Sequence, residues 1–195
     1  MNPLRLILTF HPHLHHRCRA MSSNPFSKVQ DEAASRDERK WNKLSRMMSS
    51  FHEGFKEQFN TLYELSDGSF NKRGWSLGLY LESAKRFNDH LTMHHTIEEA
   101  YIFPILGRRM KQFSTESDGE HLASHKGIHD GLQSLKSLIH KCKADPTSYS
   151  PTEMRACLDN FREVLFSHLD QEVQDLQGEN LKKYFTLKEV EEIPV

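Results

Sequence analysis

Apolar residues recur at alternating three- and four-residue steps through four long segments of the chain, the period of helices that each bury one face. The first segment, from about Glu38 to Leu65, carries Leu44, Met48, Phe55, Phe59 and Leu62 on its stripe and is closed by Ser66-Asp67-Gly68-Ser69. The second starts near Trp75 or Ser76 and carries Leu77, Leu81, Ala84, Leu91, Ile102 and Ile105. Pro104 lies inside it and removes the amide that would bond the Ala100 carbonyl, so a kink or an early end is expected there. Ser117-Asp118-Gly119-Glu120 has capping-box spacing and opens the third, with Leu122, Leu132, Leu135 and Ile139 along one side. The fourth opens on Ser150-Pro151-Thr152-Glu153, an N-cap serine followed by proline at the first helical position and glutamate at the third. Its stripe is Met154, Leu158, Phe161, Leu165 and Leu176, with Gly178 as the expected stop, and Thr186-Leu187-Lys188-Glu189 begins a last short helix ended by Pro194.

Short connections between long helices favour antiparallel neighbours. The expected fold is therefore all-α, an up-down-up-down antiparallel four-helix bundle with a short C-terminal helix. Residues 37–178 form the bundle in this reading, after a disordered N-terminal segment (1–36) and before a tail (179–195).

Composition narrows the functions open to such a bundle. The 195 residues hold 26 basic and 27 acidic side chains, for a net charge of -1, and these are mixed along the chain. No basic face is available for nucleic acid or anionic lipid. No apolar run approaches the roughly 18 residues of a membrane span. Cys18, Cys142 and Cys157 match neither a disulfide framework nor a zinc motif, which points to the reducing cytoplasm. The first thirty residues carry Arg5, Arg17, Arg19 and Lys28 and no acid, a bias shared with mitochondrial transit peptides. A mitochondrial address is the alternative if residues 1–20 are such a peptide, although Pro3 and Pro12 interrupt it and Met21 offers a second start. The tract His11-Pro12-His13-Leu14-His15-His16 has no scaffold to hold a metal.

The stripes also carry histidine and glutamate. His52 falls in phase with the first stripe, His94 and Glu98 with the second, His125 and His129 with the third, and His168 and Glu172 with the fourth. Residues four apart on a helix lie one above the other, so each pair can aim two ligand atoms at one point. At 1.5 Å per residue, the positions on successive helices agree in height to within about 6–10 Å, which permits one site at mid-bundle. A lone histidine in a stripe is ordinarily a hydrogen-bonded core residue, but four matching segments are not explained that way. Two glutamates buried without a cation would each cost several kcal/mol, roughly, and neutral imidazoles cannot offset that. Five histidines and two carboxylates suffice for two metal ions.

His90 and His121 also have ligand spacing. His90 is rotated about 100° off the stripe. His121 and His129 stand about 12 Å apart along a helix, so one compact site cannot use His121, His125 and His129 together. His95 sits at the edge of the stripe as a boundary residue, and His140 is placed at the surface.

His94-His95-Thr96-Ile97-Glu98-Glu99, followed by Tyr101-Ile102-Phe103-Pro104-Ile105-Leu106, resembles the central signature of the hemerythrin-like, or HHE cation-binding, family. His125-Lys126-Gly127-Ile128-His129 and His168-Leu169-Asp170-Gln171-Glu172 resemble its two later motifs, and the likeness runs from about Trp41 to Leu176. Residues 180–185 also look like the tail of the fungal branch. The resemblance implies two non-haem iron ions, oxo- or hydroxo-bridged. His125, His129 and His168 would hold one and His52 and His94 the other, with Glu98 and Glu172 as bridges. The second ion then has an open position for dioxygen or nitric oxide. Oxygen-carrying members have an aspartate five residues after the fourth-helix histidine. Here that position is Val173, and Glu172 takes the role one residue earlier, which suits sensing, repair or iron handling as well as oxygen carriage.

Three classes of function follow. The first is a di-iron protein that binds, senses or sequesters dioxygen, nitric oxide or iron. The alternative is a di-iron oxidoreductase, peroxidase-like or nitric-oxide-reducing, with Glu99 or Tyr101 moving protons. The third is a metal-free structural bundle, which the full set of ligand types disfavours. Two bridging carboxylates with five histidines suit five- or six-coordinate ions better than tetrahedral zinc.

Overall fold

The computed structural model describes residues 25–116 and 119–194, with side chains from residue 32 onward. Among these, eight α-helices occur: α1 (Pro25–Trp41), α2 (Lys43–Leu65), α3 (Leu77–Ile97), α4 (Phe103–Leu106), α5 (Glu120–Ala144), α6 (Pro151–Asp175), α7 (Gly178–Leu181) and α8 (Leu187–Glu191). The transit-peptide reading, the histidine tract and the Ser117-Asp118 half of the expected capping box lie outside the described residues. The N-terminal segment is helical from Pro25, inside the stretch read from sequence as disordered.

The four long helices form the bundle, and their contacts give its directions. Tyr80 of α3 donates its hydroxyl to the Leu62 carbonyl of α2, while His52 meets His94, so α2 and α3 run antiparallel. Asn88 donates to the Leu132 carbonyl while His95 stacks on His125, which reverses α5 against α3. Lys141 pairs with Glu153 at one end and His121 with Asp175 at the other, reversing α6 against α5. Lys56–Asp170 and Tyr149–Ser66 close the ring between α6 and α2.

Local sequence accounts for most helix ends. Ser76 caps α3 and Ser150 caps α6, each accepting a backbone N–H with its side chain, and Thr186 with Glu189 completes a capping box on α8. Each such cap is worth about 1 kcal/mol. The first stripe is interrupted at Asn42, whose side chain donates to the Glu38 carbonyl and offsets α2 from α1. Gly178 does not stop α6 as expected. A Cβ there would sit 2.8 Å from the Trp41 Cβ, and its N–H donates to Asn42, so this glycine allows the tail to lie against the α1–α2 joint. Gly68, near the start of the α2–α3 connection, adopts the left-handed region at φ 92°, where a side chain would be strained.

The kink expected from Pro104 takes a specific form. Glu98–Ile102 makes one π-turn, in which the Phe103 N–H bonds the Glu98 carbonyl across five residues, before α4 resumes. Such a turn inserts one residue into the helix without unwinding it, so Glu98, Ile102 and Phe103 all face inward.

Two apolar cores fill the bundle. The larger, around Phe59, Phe87, Leu135 and Phe161, lies toward the α2–α3 connection. The smaller packs Met48, Ile102, Phe103, Phe113 and Leu176 under α7 and α8, with Leu181, Val190 and Ile193 as its cover. Between them runs a layer of histidine and glutamate.

Candidate metal centre

Each long helix contributes to this layer from its buried face. α2 supplies His52, the last turn of α3 supplies His94 and His95, the π-turn supplies Glu98, α5 supplies His121 and His125, and α6 supplies His168 and Glu172. His52 and Glu172 are fully buried and Glu98 is 1 % exposed. Two groups of potential ligand atoms converge: His52, His94 and Glu98, and His95, Glu98, His125 and His168.

The nitrogens meet in pairs. His52 Nε2 lies 3.1 Å from His94 Nε2, and His125 Nε2 lies 3.1 Å from His168 Nε2. The two carboxylates stand between the pairs. Glu98 Oε1 is 2.9 Å from His94 Nε2 and its Oε2 is 3.5 Å from His125 Nε2. Glu172 Oε2 is 3.6 Å from both His52 Nε2 and His168 Nε2. None of these approaches has hydrogen-bond alignment, so all four carboxylate oxygens are buried without a hydrogen-bond partner.

Outer partners fix which nitrogen carries the proton. His52 Nδ1–H donates to the Leu169 carbonyl at 2.8 Å, and His125 Nδ1–H donates to Glu99 Oε1 at 2.7 Å. His121 Nε2–H donates to Asp175 at 3.0 Å, which leaves its Nδ1 to accept from His168 Nδ1–H at 3.4 Å. His52, His125 and His168 therefore all present Nε2 lone pairs to the interior. The 3.1 Å contact between His125 and His168 holds no proton, and two lone pairs at that distance repel unless a cation lies between them.

Protonation of the imidazoles does not relieve this conflict. Burial pushes His52 and His125 down to about 3 and His94 to about 4, and holds His168 well below the usual imidazole range. Burial likewise drives Glu98 and Glu172 well above the usual carboxylate range, and their neighbours' negative charge adds to it. Groups that pay to be charged, gathered around four carboxylate oxygens that have no hydrogen-bond partner, suit a bound cation: it accepts the lone pairs and lets the carboxylates ionise.

Of the seven residues expected from sequence, the structure brings six together. His129 stands beside them, half-buried, with its Nε2 enclosed and without a partner and its ring 5.5 Å from that of His95. The buried line of α5 runs His121, His125, Ile128, Leu132, Leu135, one position away from His129. His95, read from sequence as a boundary residue, is fully buried, stacked on His125 at 3.8 Å, with both ring nitrogens unpartnered. A signal for it was present: His95 is four residues after Leu91 and three before Glu98, as good a match to the helical period as His94. Glu99, Asp175 and His121 hold the outer hydrogen bonds.

Residues 43–178 match the family described as Hemerythrin HHE cation binding domain. The chain belongs to this hemerythrin-like family. Its matched region takes in α2 through the end of α6, and so every residue of the buried histidine and glutamate layer. Among curated proteins, the hemerythrin-like chain is similar to the dimeric xanthone biosynthesis cluster protein R11 of Cryptosporiopsis sp. (strain 8999), 33% identical over 91 residues. That match covers 47% of this chain and 32% of the other, so the likeness spans about a third of the relative's length. No solved structure matches. Among the described residues, no helix is long and apolar enough to cross a membrane.

Proposed function

We propose that the protein is a non-haem di-iron protein that binds, senses or sequesters dioxygen, nitric oxide or iron at an open coordination position. The observation that carries this reading is the arrangement of two histidine pairs, each 3.1 Å across, with Glu98 and Glu172 each facing one member of both pairs. Two carboxylates straddling two nitrogen pairs support a bridged two-ion site, in which His52 and His94 would hold one ion and His125 and His168 the other. Two imidazole nitrogens about 2.1 Å from one ion are about 3.0 Å apart at a right angle and about 3.4 Å apart at the tetrahedral angle. The observed spacing is compatible with two imidazoles on one ion, and the preference for iron over zinc rests on the donor set, two carboxylates with several histidines, which suits five- or six-coordinate ions.

Two side chains compete for the third nitrogen on the His125–His168 side. His129 has the one-turn spacing from His125 and an enclosed, partnerless Nε2, while His95 groups with Glu98, His125 and His168. The other ion would have the pair His52 and His94 only, and His94, with 12% of its side chain exposed, is where solvent approaches. When bound, the ions would supply redox chemistry and a vacant position for a diatomic ligand. The chain's own residues hold the imidazole tautomers, through Leu169, Glu99 and the His121–Asp175 pair, and exclude bulk water.

A second reading, a metal-dependent oxidoreductase, takes its support from the partial relative, which is named for a biosynthesis cluster. Elemental analysis of the purified protein tests the first reading, followed by anaerobic reduction and separate additions of dioxygen, nitric oxide and peroxide with absorption spectra and turnover recorded. Two irons per chain and stoichiometric spectral changes are expected; zinc alone, or no metal, overturns it, and multiple turnovers favour the oxidoreductase. His129→Ala and His95→Ala, compared for iron content at equal helicity, separate the two candidates for the third nitrogen.

A further inference from the structure

A cleft of about 480 Å³ opens on the face between α2 and α3 and reaches inward to His94 and Glu98. Its outer walls are Phe51, Met93 and Ile97, respectively 52 %, 61 % and 46 % exposed, with Met47 and Phe55 further in. Phe51 and Phe55 flank the His94 ring at 5.8 and 5.1 Å. A diatomic ligand needs a fraction of this space, whereas the volume falls in the range of about 300–1,000 Å³ used by pockets for organic molecules.

Gly54 gives the cleft a second, independent mark. It sits in the middle of α2, where glycine costs about 1 kcal/mol relative to alanine. Glycine is ordinarily kept in such a place by a close approach, as at Gly131, where a Cβ would lie 2.3 Å from the Phe161 ring. At Gly54 an added Cβ meets nothing within 4 Å. The position lines the cleft, so the missing side chain keeps space open rather than admitting a neighbour.

The lining also defines the chemistry of an occupant. No lysine, arginine or aspartate contributes to it, and its titratable groups are His94 and Glu98 at the inner end and His90 at the rim. Outside that inner end the walls offer no counter-ion to a charged ligand, while aromatic and thioether side chains favour a flat, polarisable one. We propose that this cleft is the binding site of an uncharged aromatic small molecule, seated with one end against His94 and Glu98. That the molecule lies beside a metal ion rests on the proposed di-iron reading; the binding itself does not.

The test is a fluorescence titration of the full-length, metal-loaded protein with N-phenyl-1-naphthylamine, a neutral aromatic probe. Saturable binding of one probe per chain is expected. Gly54→Leu, which fills the space while adding a better helix former, should retain metal content and melting temperature and weaken probe binding at least about tenfold; Gly54→Ala should have a smaller effect of the same sign. Unchanged affinity in Gly54→Leu overturns the proposal, because the probe would then be held by scattered exposed apolar residues such as Leu79 and Tyr184. A wild-type dimer that Gly54→Leu dissociates also overturns it, since the face would then be covered by a second copy. Metal content, measured on the same samples, reports separately on the centre: probe binding by a protein that takes up no iron sustains the cleft and overturns the di-iron reading.

Discussion

The hydrogen bond from His125 to Glu99 lies outside the ligand set yet should be felt by it. Glu99 Oε1 accepts from Nδ1 at 2.7 Å, which fixes the tautomer with its lone pair inward and increases the basicity of that lone pair. In Glu99→Ala the imidazole loses this anchor and can place its proton on either nitrogen. Loss of such a partner lowers metal affinity by about 10–100-fold, or about 1.4–2.7 kcal/mol. The Glu99 side chain is 36% exposed, so water can replace the lost acceptor and screening weakens its charge, which places the effect near the tenfold end. For the same reason the metal-free protein should change its stability by less than about 1 kcal/mol. The assay is a competition titration of ferrous ion against a chromophoric chelator under anaerobic conditions, with helicity followed in parallel. Glu53→Ala is the control, because it removes another carboxylate, 63% exposed and bonded only to Lys56. An affinity within twofold of wild type in Glu99→Ala would refute the argument that this bond orients the ligand.

Three further outcomes are expected. Glu98→Gln and Glu172→Gln should each reduce occupancy of both ions together, since each carboxylate faces both histidine pairs; a variant that cleanly loses one ion and keeps the other at full occupancy would contradict the bridging role. In the metal-free protein the three histidines contribute a loss of stability as pH falls from 6.5 toward about 3, because the unfolded chain takes up protons that His52, His94 and His125 refuse while folded. The two glutamates contribute the opposite trend above pH 4.5, where the unfolded chain releases protons that Glu98 and Glu172 retain, so the melting-temperature gain on adding metal, which releases those protons, should widen with rising pH, and a flat gain would count against the scheme. Gly131→Ala should lower stability by about 1–3 kcal/mol, read as a fall of roughly 2–12 °C in melting temperature, because its Cβ would overlap the Phe161 ring; an unchanged melting point would show that the helices separate freely there.

Much of this architecture was legible in the order of residues. The four stripes, and the caps at Ser76, Ser150 and Thr186, are local signals, and they appear where the helical period and hydrogen-bonding side chains put them. What escaped depends on contacts between distant segments. Gly178 resembles a helix stop, yet its role is set by Trp41, far away in the chain. Pro104 announces an irregularity but not its form, because a π-turn and a kink satisfy the same missing amide. His94 and His95 fit the period equally well, and only the position of α5 decides that His95 is sealed against His125. On α5 the period allowed either the His125–His129 line or the His121–His125 line, and the bundle turns the latter inward.

The histidine and glutamate layer also divides the interior into two separate oily compartments, one around Phe59 and Phe161 and one around Phe103 and Phe113. All four long helices cross that seam, where the Glu98 and Glu172 oxygens are buried with no hydrogen-bond partner. Bound ions would act there as rivets, joining two half-barrels into a single cooperative body. Starved of metal, the same chain would carry a fault plane through its middle, where it would open first to proteases. The lifetime of this protein would then track the metal supply around it.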